Sequence, residues 1–133
     1  MIFHIKIVGT FLILLSLLHV VMPRYFNWTQ ELSGLSLISK QIMYVHTFFI
    51  AFIVLLMGLL CLYSGTELAS STLGKHLSLG LFIFWFTRLL FQFFVYSPRV
   101  WRGKKLETFV HIVFSILWSY FSYVFFLVYW QQV

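Results

Sequence analysis

The stretch HLSLGLFIFWFTRLLFQFFVY, His76–Tyr96, decides how the whole chain is read. About twenty residues, nearly all apolar, is the length that crosses the hydrocarbon of a bilayer as a helix. Inside the run sit Arg88 and Gln92. A guanidinium in hydrocarbon costs from about 2.5 to more than 10 kcal/mol, so Arg88 must face protein, water or a bound group. The other segments have to supply those surroundings, which makes the chain a membrane bundle with a polar inner seam.

Composition agrees. Of 133 residues, 62% are hydrophobic and 9% charged, with 17 Phe, 7 Tyr and 5 Trp, the balance of a chain dissolved in lipid. No separate soluble domain fits. Nine Lys and Arg against three acids give a net charge of +6. In a soluble protein that excess would raise nucleic acid as a partner; here the basic residues are mostly loop residues that set topology, and no nucleic acid is expected. Cys61 is the single cysteine, so no intrachain disulfide can form, and the CxxC or Cys/His spacing of a zinc site is absent.

Outward from His76–Tyr96, further apolar runs give spans at about 5–22, 41–63, 76–96 and 106–130. The expectation is an all-α polytopic membrane protein, one domain of four transmembrane helices in an up-down-up-down bundle. The first run lacks an A-x-A-like cleavage site and exceeds a signal-peptide core, so it reads as a retained helix that stops at Pro23-Arg24. Its Gly9, Ser16 and His19 recur near helical spacing and predict a face of close helix approach. RYFNWTQELSGLSLISK (24–40) is too polar to span, while its Leu32, Leu35, Leu37 and Ile38 predict a short interfacial piece. The sequon Asn27-Trp28-Thr29 carries little weight on the cytoplasmic side. Ser36 or Ser39 is the N-cap of the second span, and Gly65 follows its end. The short connection SGTELASSTLGK (64–75) makes the second and third spans antiparallel neighbours.

Basic residues set the orientation. Arg24, Lys40, Arg99, Arg102, Lys104 and Lys105 fall in the first and third connections, Lys6 and Lys75 on the other side. The positive-inside rule then puts both termini outside the cytoplasm of a bacterial inner membrane. Trp28 and Trp101 flank the basic side; Tyr63, Tyr129 and Trp130 flank the opposite face. The hairpins also echo one another: MPRYF ends the first helix and SPRVW the third, and Tyr44-Val45-His46 opens the second as Phe109-Val110-His111 opens the fourth. Either this is chance, or it is a parallel repeat about an axis along the membrane normal.

The seam follows from the hairpins. His19, His46, Gln92 and His111 all lie about 5 to 8 Å inside one face at 1.5 Å rise per residue, and Arg88, a turn deeper, can snorkel to that level. Glu107, His111, Ser115, Ser119 and Ser122 share one face of the last helix, and Trp85, Arg88, Gln92 and Tyr96 one face of the third. The candidate ligand-binding residues are Arg88, Gln92, His19, His46, His111 and Glu107. The bland reading has the histidines as interfacial anchors, the serines bonded locally, and Arg88 paired with Glu107 as a lock. Three sharper readings compete: a haem b between His46 and His111, a metal held by His19, His46 and His111, or a pocket for a quinone or lipid headgroup. Hydrolysis and group transfer find no support, with no GxSxG, no paired carboxylates and no Asp in the chain. The expected role is a non-catalytic structural, accessory or small-ligand binding component; the alternative is a haem or metal electron-transfer protein using His46 and His111. Membrane lipid is the expected partner, with a larger membrane complex or a homo-oligomer besides.

HVVMPRYFNW (19–28) together with YVHTFF (44–49) resembles a group of small, uncharacterised bacterial four-helix membrane proteins. The likeness covers most of the chain and implies the fold, with no activity attached. A cytochrome b561-like arrangement is a looser analogy that stands on inward histidines alone.

Overall fold

A computed structural model describes residues 2–94 and 105–132. All regular structure among them is helical: α1 (Ile2–Tyr25), α2 (Trp28–Glu31), α3 (Leu37–Tyr63), α4 (Gly65–Ser70), α5 (Thr72–Phe94) and α6 (Lys105–Trp130). Four of these, α1, α3, α5 and α6, are long and apolar enough to cross a membrane, the pattern of a multi-pass membrane protein. The third span's expected end at Ser97-Pro98 and the loop PRVWRGKK up to Lys104, with Arg99, Trp101 and Arg102, lie outside the described residues, while its last residue, Lys105, opens α6.

The helices extend beyond the apolar runs. α3 starts at Leu37 rather than Gln41, and Ser36 is its N-cap, accepting a hydrogen bond from the Ser39 N–H at 3.3 Å. α5 starts at Thr72 rather than His76, and the connection before it contains the helix α4. Hydropathy sees only the hydrocarbon slab, whereas a helix continues through the headgroup region, where polar side chains cost nothing. α1 likewise passes the expected stop and carries Pro23 inside its last turn. Without an N–H, Pro23 cannot donate to the carbonyl four residues back, so one bond of the ladder is forfeited, and the helix continues only through Tyr25. Within 24–40 the short helix is α2, entered through Asn27 at φ 54°, a left-handed conformation that Asn tolerates better than most residues; of the apolar residues that predict an interfacial piece, Leu32 and Leu35 follow α2 and Leu37 and Ile38 open α3.

The chain divides into two compact units, Ile5–Gly65 and Met1–His4 with Thr66–Val133. In the first, α1 and α3 run antiparallel through a glycine contact. A Cβ on Gly9 would come within 2.9 Å of Cys61 Cβ and of the Gly58 carbonyl oxygen; one on Gly58 would meet Gly9 O at 2.9 Å and Ile13 Cγ1 at 2.8 Å. Lipid is as apolar as a leucine side chain, so helices associate by such close van der Waals fit rather than by hydrophobic burial. Gly9 and Ser16 are buried and His19 half-buried, as the small-residue face requires.

In the second unit α5 and α6 are antiparallel, with ring pairs Phe82–Phe126 and Trp85–Trp118 and the polar pair Gln92–His111. His4 Nδ1 hydrogen-bonds the Tyr120 hydroxyl at 2.9 Å. α4 lies against the start of α5 at Gly74, where a Cβ would collide with the Glu67 carbonyl oxygen and sit 2.6 Å from Leu68 Cα.

Candidate functional site

On α5 the buried residues Gly74, Ser78, Leu81, Trp85 and Gln92 recur at helical spacing and define one inner face. Arg88 falls on it between Trp85 and Gln92 and is half-buried. On α6 the facing stripe runs from His111 through Trp118 and Phe121 to Ser122. Apolar packing alone would not select these residues, because amide, guanidinium and imidazole groups need partners that hydrocarbon does not offer.

Gln92 and His111 meet that need across the hairpin. Gln92 is 7% exposed, and its Nε2 donates to His111 Nδ1 at 2.9 Å. This pairing places the ring proton on Nε2 of His111; with the amide turned over, Oε1 would accept from Nδ1–H and leave Nε2 as a lone pair. One turn from Gln92, the Arg88 guanidinium carbon lies 5.4 Å from the centroid of the Trp118 ring, a cation–π geometry. Glu107 is exposed in the first turn of α6, where a carboxylate suits the helix N-terminus, and among the described residues no ion pair joins it to Arg88.

Beneath Arg88 the hairpin is aromatic. Trp85 and Trp118 stack at 5.0 Å and 21°, Phe114 stacks on Trp118 at 5.3 Å and 7°, and Phe121 meets Trp85 edge-on at 5.1 Å. Both indole N–H groups are buried and, like the Ser78 hydroxyl, find no hydrogen-bond partner among the described residues. Each such group costs about 1–3 kcal/mol when left unpaired. The spacing puts Trp85 on the polar stripe of the third span, whereas the stripe read on the last span passes over Trp118. Its position three residues beyond Ser115, on the same face, was the available signal.

The remaining candidates behave differently. His19 is half-buried and His46 exposed; each donates Nδ1–H to the carbonyl one turn back, Leu15 and Ile42 respectively, at 2.9 Å. Both rings thus present Nε2 outward, the orientation metal-ligating histidines also use. They belong to the Ile5–Gly65 unit, whereas Arg88, Gln92, Glu107 and His111 belong to the other. Within neither unit do three or more His, Cys, Asp or Glu side chains of the described residues gather into a metal-holding group. For a haem, His46 keeps Nε2 clear of the Ile42 carbonyl that its Nδ1 engages, whereas His111 is engaged by Gln92. Ser115, Ser119 and Ser122 all return their hydroxyls to carbonyls of their own helix, at 2.7, 2.8 and 2.8 Å, and Tyr96 lies outside the described residues.

No family model, curated protein or solved structure matches this chain. Its chemistry is what remains to read. Among the described residues the hairpin seam offers a guanidinium, buried indole N–H groups and an amide–imidazole pair that both donates and accepts.

Proposed function

We propose that this chain is a non-catalytic, multi-pass component of a bacterial cytoplasmic membrane that binds an amphiphile bearing acceptor oxygens, a quinone or a lipid headgroup, at the α5–α6 seam. Arg88 supplies the charge, Gln92 and His111 the adaptable donor pair, and the Trp85 and Trp118 indoles the buried floor. The observation that carries this reading is that two buried indole N–H groups beside Arg88 find no acceptor among the described residues. A ligand carbonyl or phosphate oxygen supplies the missing acceptor. The up-down-up-down order with both termini outside the cytoplasm is part of the proposal. It is supported by the distribution of Arg24, Lys40 and the basic residues 99–105 against Lys6 and Lys75. Exposed aromatic side chains along the apolar helices also suit an accessory subunit of a larger membrane complex or a homo-oligomer.

The test is purification in mild detergent, followed by organic extraction, mass spectrometry and a visible absorption spectrum. The expected result is a colourless protein that retains a quinone or a specific lipid, with Arg88→Leu and Gln92→Leu losing it. A Soret band that disappears in His46→Ala or His111→Ala would replace this reading with electron transfer through haem.

A further inference from the structure

The opposite end of the α5–α6 hairpin carries a polar cleft that the seam does not use. The corner between α4 and α5 has little slack. Gly74 is pressed on the backbone of Glu67 and Leu68, while the Ser71 hydroxyl donates to Glu67 O at 2.7 Å and accepts from the Gly74 N–H at 2.8 Å. Gln132 ties the end of the chain to the same corner, its amide donating to Leu68 O at 2.8 Å and Val128 O at 3.1 Å.

Here an open cleft of about 390 Å³ is lined by Ser70, Ser71, Thr72, Lys75, His76 and Gln132. Among the described residues its lining holds an ammonium, an imidazole and three hydroxyls, and no carboxylate. The Lys75 ammonium lies 5.6 Å from the Tyr129 ring centroid, a cation–π contact. Ser70 and Ser71 spend their hydroxyl protons on Thr66 O and Glu67 O, which leaves Thr72, Lys75 and His76 as the donors. The cleft also opens beside the amino end of α5, whose dipole favours negative charge.

We propose that this cleft binds a phosphate-bearing anion, with Lys75, His76 and Thr72 as its donors. Charge-assisted N–H to phosphate hydrogen bonds are the strong ones, and a group of that size fits the volume. Tyr129 and Trp130 end α6 at the same level, and such aromatic residues mark the headgroup layer. The headgroup of a phospholipid is therefore within reach, as is free phosphate from the aqueous side. The proposal is independent of the seam.

Native mass spectrometry of the full chain in a neutral detergent tests it, with phosphatidylglycerol, diacylglycerol of the same acyl chains and inorganic phosphate as three separate probes. The expected result is one saturable phosphate-bearing ligand per chain, bound at least about tenfold more weakly by Lys75→Gln and retained by Lys75→Arg. Binding of phosphatidylglycerol that inorganic phosphate does not displace identifies a lipid headgroup; binding of phosphate itself identifies the soluble anion. Two results overturn the site: no difference between the unaltered chain and a Lys75→Gln/His76→Gln variant for both phosphate-bearing probes, or diacylglycerol binding with the same dependence on Lys75.

Discussion

Among the described residues, Gln92 is the buried polar side chain whose partner comes from the facing helix. Gln92→Leu should destabilise the protein by about 0.5–2 kcal/mol, the range of interhelical hydrogen bonds in membranes, read as a lower midpoint in an SDS unfolding titration. Arg88→Leu separates binding from folding. The cation–π contact it removes is worth about 0.5–2 kcal/mol, and the change should abolish retention of the extracted amphiphile. A variant that loses stability and ligand in step would make Arg88 a structural brace. Ser78 gives the opposite prediction. Its hydroxyl is fully buried without a partner, so Ser78→Ala should leave stability unchanged or raise it by about 1 kcal/mol; a clear loss in the same titration would mean that the hydroxyl is satisfied in the membrane.

Comparison of the hairpins shows what an element needs to carry this chemistry. Aligned on Pro23 and Pro98, the first helix has Thr10, Ile13 and Leu17 where α5 has Trp85, Arg88 and Gln92; aligned on His46 and His111, α3 has Ile53 where α6 has Trp118. The echoed turns therefore do not produce echoed sites. With leucine in place of Gln92, the first hairpin offers His46 no equivalent partner, and the ring settles on Ile42 O of its own helix. The first hairpin uses its inner face for glycine packing instead. Gly58→Ala, whose Cβ would meet Ile13 and the Gly9 carbonyl oxygen below 3 Å, should cost about 1–3 kcal/mol by forcing the helices apart. Gly80→Ala has open space at its Cβ and should gain up to about 1 kcal/mol from helix propensity. Thermal or SDS unfolding of the two variants side by side checks both signs.

For the whole molecule, orientation is the property most open to test. Glu67 in α4 and Gln131 beyond α6 are exposed, as is Ser33 between α2 and α3, while the native Cys61 is buried and should contribute little background. Introduced singly as cysteines, positions 67 and 131 should react with a membrane-impermeant maleimide on intact cells, and position 33 only after permeabilisation. The reverse pattern would overturn the placement of both termini outside the cytoplasm and leave the helices themselves untouched.

Lipid solvent explains how much of this was legible beforehand. Four spans, a polar interior and the candidates Arg88, Gln92 and His111 follow from span length and from the cost of polar groups in hydrocarbon, which no packing can evade. Helix ends did not follow, since headgroup-level residues are not apolar and hydropathy loses them before the helix stops. Partner choice was also hidden. That Gln92 reaches His111, that Arg88 covers Trp118 rather than pairing with Glu107, that His19 and His46 satisfy themselves, and that two indole N–H groups go without acceptors all depend on how each helix is rotated about its axis. Packing against the neighbouring helix sets that rotation, and only the assembled hairpins contain it.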